Sequence, residues 1–299
     1  MPRAIRSRTR LAAALATLAI AAGTALAACA PVDAGADAGD SALPEGLAVS
    51  VQQGRLDVPK GRLVVHFENS GDPITVTALE VRSPALEPGM DRDEPFELSA
   101  DDAIDIRLDL TPTVCDGDPT AVEIALDVRT ADGVTHSGVL VPDDPFGTMT
   151  RIADAACLAE SVAAVAKITM PERLRSEGTG ADRRAWIDVR IDPAAEGDGT
   201  LSLEGVSSTT LLGNEAGQDW PLGFDVAPGD APFTIELAAR PARCDAHALA
   251  DDKRGTILPF TVSTGDGREG RFDVPSGDAL KADLYAYIAE RCGLQAPGS

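Results

Sequence analysis

Three histidines, five cysteines and 48 acidic residues are the groups of this 299-residue chain with covalent, metal-binding or proton-transfer chemistry to offer. His66 and His136 fall in one half of the chain, as a two-histidine metal site would need, but each stands singly in an alternating strand pattern and reads as a solvent-facing histidine. His247 is isolated from both. The clustered acids Asp91/Asp93/Glu94, Asp101-Asp102, Asp143-Asp144 and Asp251-Asp252 lie in expected loops, where carboxylates can gather on calcium. None has the D-x-D-x-D-G spacing, so they read as solvated turn acids. Asp116 and Asp245 each follow a cysteine directly, and the expectation for both is a side-chain cap on a turn. No H-E-x-x-H, P-loop, G-x-S-x-G or S-x-x-K motif occurs. Trp186, Trp220, Tyr285 and Tyr287 offer stacking faces for a sugar, but four residues spread through one half of the chain read as core. The expectation is therefore no catalytic residue, no metal site and no cofactor.

The cysteines lie at 29, 115, 157, 244 and 292, without the C-x-x-C clustering of a four-cysteine metal site. Their surroundings recur. Phe96-Glu97-Leu98, an acidic turn, the alternating Ile104–Leu110 and Pro112-Thr113-Val114-Cys115-Asp116 match Phe224-Asp225-Val226, an acidic turn, Phe233–Leu237 and Pro241-Ala242-Arg243-Cys244-Asp245. Downstream, strands at 126–130 and 260–264 enter the turns Asp132-Gly133 and Asp266-Gly267, return to Val141-Pro142 and Val274-Pro275, and close on Cys157 and Cys292. A strand, a D-G turn and a returning strand form a hairpin. The chain thus contains one module written twice, with disulfides expected at Cys115–Cys157 and Cys244–Cys292.

Six or seven short strands per module, with turns every 8–12 residues or so, describe an all-β chain of two tandem sandwiches. The modules span residues 47–160 and 161–293, with a tail at 294–299. The pattern resembles immunoglobulin-like modules of bacterial surface lipoproteins at the level of architecture. The spacing of Leu280, Leu284, Tyr287 and Ile288 predicts a C-terminal helix over Asp278–Arg291. A shorter helix is expected at Thr148–Ala156.

The first ten residues carry four arginines and no acid, and Leu11–Ala28 has no charge. That is the head and body of an export signal. It ends in Leu26-Ala27-Ala28-Cys29, which resembles the lipobox of bacterial lipoproteins. The resemblance implies cleavage of residues 1–28 and lipidation of Cys29. Ala25-Leu26-Ala27 also fits an ordinary cleavage site, and 18 apolar residues just suffice for an uncleaved anchor. Pairing of the other four cysteines leaves Cys29 as the one thiol that lipidation would use.

Residues 29–46, rich in Ala, Gly and Asp, read as a flexible tether. Removing the four N-terminal arginines leaves 22 basic against 48 acidic side chains, about −26 for the mature chain. Such acidity excludes nucleic acid as a partner. The expected function is that of a non-enzymatic lipoprotein on the extracytoplasmic face of the cell membrane, held by its N-terminal lipid and working through an unknown envelope protein. The alternative is a solute- or metal-binding lipoprotein of a transport system, which requires a deep pocket, expected between the modules.

Overall fold

A computed structural model of the chain describes residues 42–294. The expected signal peptide, Cys29 and the part of the expected tether before Ala42 lie outside the described residues, as do 295–299. No helix among the described residues is long and apolar enough to cross a membrane.

Among the described residues the chain is mostly β-strand with three α-helices, and its strands form two sandwiches. In the first, β1 (Leu47–Gln52), β2 (Arg62–Asn69) and β6 (Asp102–Asp109) make one sheet in the order β1-β2-β6. The facing sheet has the order β4-β3-β7-β8, from β3 (Ile74–Arg82), β4 (Met90–Arg92), β7 (Glu123–Thr130) and β8 (Thr135–Leu140). The short β5 (Phe96–Leu98) also pairs with β3. Alternation in β2, β3 and β7 turns Leu63, Val65, Phe67, Val76, Leu79, Ile124, Leu126 and Val128 into one dry core.

After α1 (Thr148–Val165) the plan repeats. The second sandwich is built from β9 (Ala166–Thr169), β10 (Arg175–Glu177), β11 (Arg184–Pro193), β12 (Leu201–Val206), β13 (Leu212–Asn214), β14 (Trp220–Val226) and β15 (Phe233–Pro241). The short α2 (Ala246–Ala250), β16 (Ile257–Thr264), β17 (Glu269–Pro275) and α3 (Asp278–Arg291) complete it. Its sheets run β10-β11-β15-β13, with β9 on β11, and β14-β12-β16-β17.

The repeat holds in detail. The register shift in β3 between Val76 and Ala78 has its counterpart in β12 between Leu203 and Gly205. Both hairpin turns use the same chemistry: Thr130 Oγ1 donates to Asp132, and Thr264 Oγ1 donates to Asp266, at 2.5 Å in each case. Gly133 and Gly267 sit at φ 84° and 86°, which only glycine adopts at little cost.

Both expected disulfides are present, Cys115–Cys157 and Cys244–Cys292, with Cα–Cα separations of 5.5 and 5.3 Å. The first ties the loop after β6 to α1, and the second ties the loop after β15 to the C-terminal end of the last helix. The C-terminal helix covers its expected span. The first helix does not stop at Ala156; it continues to Val165, because the Ala-rich stretch has neither Gly nor Pro to end it. Its apolar residues serve two cores. Met149 and Ile152 pack on the first, whereas Leu158, Val162 and Val165 pack on the second. Nine residues, about two and a half turns, put Met149 and Leu158 on opposite sides of the helix. The helix crosses position 160/161, and Ser161 Oγ donates to Asp266 Oδ2 in the second sandwich at 2.7 Å.

Candidate functional site

His66 faces outward from β2, directly across from Ser50 on β1 and Asp105 on β6. It is not a free solvent-facing histidine. Its Nδ1 meets Asp105 Oδ1 at 2.8 Å, and its Nε2 meets Glu68 Oε1 at 3.3 Å. The hydrogen bond to Asp105, with Glu68 in support, holds the imidazole above its ordinary range against a smaller opposing effect of burial. The sequence carried a signal for this in His66-Phe67-Glu68, since residues two apart share a face of a strand. Chemically the arrangement favours an imidazolium clamped by two carboxylates. Both ring nitrogens are thus engaged by carboxylates. His136 bonds instead to the carbonyl of Ala42 through Nδ1 at 3.0 Å, and His247 lies in the first turn of α2.

The carboxylates work locally. Asp245 caps α2, accepting from His247 N at 2.9 Å, and this lowers its pKa. Asp116 makes no such cap; the role falls to Asp118, which accepts from the backbone N–H and the hydroxyl of Thr120. The D-G-D sequence after Cys115 offers two acids, and the turn uses the second. Asp144 accepts from Thr148 N and Met149 N at the start of α1, and Asp252 from Tyr285 Oη at 2.8 Å and Gly255 N at 2.6 Å. Among the described residues no three His, Cys, Asp or Glu side chains converge as a metal site. Gly265-Asp266-Gly267-Arg268-Glu269-Gly270 has the spacing of a dinucleotide-binding loop, yet it joins strand to strand, not strand to helix, and offers no helix N-terminus for a pyrophosphate.

The aromatics do not share a surface. Trp220 and Tyr287 are buried, donating to the carbonyls of Ala238 and Ala239 at 2.8 and 2.6 Å. Trp186 is covered by the Arg175 guanidinium, 4.8 Å from its ring centroid.

Two hollows remain. A cleft of about 340 Å³ lies beside the Cys115–Cys157 bridge, where Glu160 and Ser161 of α1 face Asp198, Asp266 and Arg268 of the second sandwich. A larger groove, about 580 Å³, opens at one end of the first sandwich. Val81 and Val122 form its floor, Pro84, Leu86 and Pro88 one wall, and Val141 its lip. The wall is held in place by backbone bonds from Glu87 N to Pro112 O and from Val114 N to Ala85 O. Glu80, Glu87 and Glu123 stand at the rim. Val141 is 78% exposed. An apolar residue left outside at the end of a hairpin strand was the only hint of this groove in the sequence.

No family model matches the chain, and no curated protein matches it. Among solved structures, red sea bream transglutaminase is similar at 11% identity over 79% of this chain and 32% of that one, TM-score 0.24. The YadV chaperone is similar at 13% identity over 77% of this chain and 100% of that one, TM-score 0.20. The Salmonella enterica SafA pilin–SafB chaperone complex follows at 16% identity over 72% of this chain and 89% of that one, TM-score 0.19. This chain spans about a third of the transglutaminase it matches. Likeness at this level carries no argument about function.

Proposed function

We propose that this chain is a lipoprotein of the cell envelope, anchored through Cys29 on the extracytoplasmic side, that works by protein contact and not by catalysis. The basic head, the apolar run and Leu26-Ala27-Ala28-Cys29 support the anchor. The two disulfides support an oxidising compartment. The contact role rests on one observation, the apolar groove at the end of the first sandwich, whose walls are fixed before anything binds. Preformed apolar concavities with a charged rim are where partners gain affinity without a large ordering cost. The carboxylates outside the His66–Asp105–Glu68 group serve as local caps of turns and helices, which supports the non-catalytic reading.

The test is crosslinking in intact cells with the full chain and with Cys29→Ser. The full chain is expected in the membrane fraction, crosslinked to an envelope protein through the first sandwich. Cys29→Ser is expected to leave that fraction while staying folded. A Cys29→Ser chain retained in the membrane overturns the anchor, and crosslinks confined to lipid and self-contacts overturn the contact role.

A further inference from the structure

The two modules carry equivalent edge strands, and only one of the two is guarded by charges and a proline of its own. Register anchored on the shared turn aligns Thr135, Ser137 and Val139 of β8 with Glu269, Arg271 and Asp273 of β17. Strands at sheet edges present unpaired N–H and C=O groups, and charges or prolines normally guard them against pairing with another chain. β17 has three charges and ends in Pro275, whereas β8, Thr135-His136-Ser137-Gly138-Val139-Leu140, has neither charge nor proline.

β1 also lacks charge, but the chain at Asp143 covers its edge through Val51 N to Asp143 O and Asp143 N to Val49 O. Among the described residues β8 pairs with β7 alone, with Ala42 and Leu43 meeting it only at the His136 ring and over Gly138. The turn bond from Thr130 N to Val134 O sets the alternation, so His136, Gly138 and Leu140 bond to β7. The N–H and C=O groups of Thr135, Ser137 and Val139 face the open edge, and these three residues are exposed. The strand then runs directly into Val141 at the lip of the apolar groove.

Resting on the contact role above, we propose that β8 accepts one further strand, an extended segment of the partner. That segment places an apolar side chain in the groove beside Val141 and basic side chains over the outer face of the sheet. Charge selects this occupant. Glu80, Asp91, Asp93 and Asp127 line the shallow hollow alongside Ser137 and Val139, and Arg82, the single base there, is engaged by Glu80. A second copy of this chain pairing through β8 would bring the same acids face to face, so like-charge repulsion works against self-pairing. Strand addition draws its affinity from main-chain bonds and its specificity from pockets for alternate side chains, and the edge and the groove supply one each.

Two measurements test this. First, the purified full chain is mixed with a blocked hexapeptide alternating lysine and valine, and amide hydrogen exchange is followed. Exchange at Ser137 and Val139 is expected to slow about tenfold or more, with no change at Arg271 and Asp273. The glutamate–valine peptide should give no protection. Val139→Pro removes a donor that the β7 ladder does not use and is expected to abolish the effect. Ser137→Arg with Val139→Asp, which copies β17, serves as a second block that keeps the strand's own pairing. Second, a photo-crosslinking residue at position 139 of the full chain in cells is expected to capture a basic segment of an envelope protein, and one at 273 none. Unprotected β8 amides, or a captured segment without basic residues, overturn the proposal. So does capture of a second copy of this chain. If a partner is captured through the groove while β8 exchanges freely, the strand-addition idea fails and the contact role stands.

Discussion

Leu43 lies over Gly138: a Cβ on that glycine would stand 2.8 Å from the Leu43 Cγ. At the equivalent register of the second sandwich, β17 carries Phe272, which packs against its own core. In the first sandwich a residue from the segment before β1 does what a residue of the strand does in the second. The last residues before β1 are therefore docked on β8, with Ala42 O accepting from His136.

Leu43→Ala is expected to lower stability by about 1–2 kcal/mol, less than a fully buried leucine costs. Gly138→Ala crowds Leu43 and should be better tolerated once Leu43 is alanine. A double-mutant cycle by denaturant unfolding should thus give a coupling of at least about 0.5 kcal/mol, and strict additivity would show that the two do not touch.

The shared helix predicts a crossed effect. Leu158→Ala and Val162→Ala remove buried side chains from the second core, although both lie on the helix that Cys157 bonds to the first sandwich. Each should cost about 1–4 kcal/mol, with β16 and β17 losing amide protection before β3 and β7. Met149→Ala should reverse that order.

Tyr287 is fully buried, donates to Ala239 O at 2.6 Å and accepts from Arg291 at the same distance. Arg291 is fixed in turn by a two-point bond to Glu215. Tyr287→Phe leaves that carbonyl and that guanidinium each short of a partner and should cost about 1–3 kcal/mol. Thermal unfolding of the second sandwich measures it.

His66 gives a pH dependence of known sign. Its folded pKa is raised, chiefly by Asp105, so its contribution is complete below the unfolded value near 6.5 and is lost as pH rises through the folded value. Asp105→Asn removes the largest cause. The His66 titration followed by NMR should move down in this variant, and the loss of thermal stability as pH rises above about 6.5 should flatten.

Replacing Cys115 and Cys157 together by serine opens a loop of 42 residues. The first sandwich should lose about 2–5 kcal/mol. The Cys244–Cys292 pair is expected to remain oxidised, which thiol counting by mass spectrometry checks.

Much of this architecture was legible in the sequence because it is local or repeated. Alternation at period two shows which face of a strand is buried, the D-G pairs mark the hairpins, and the recurrence of Phe, strand and P-x-x-C-D set the module plan and the cysteine pairs. The spacing of Leu280, Leu284 and Tyr287 likewise carried the C-terminal helix. The true end of α1 was not legible, because an Ala-rich run has no breaker and its two apolar stripes answer to different cores. Nor was the Asp105 carboxylate at His66, since it lies 39 residues away and meets the ring only across the β2–β6 register. The open edge of β8 and the groove at Val141 are tertiary facts as well. A sequence gives the residues of a strand, but which edge stays unpaired depends on sheet order and on what the rest of the chain lays against it.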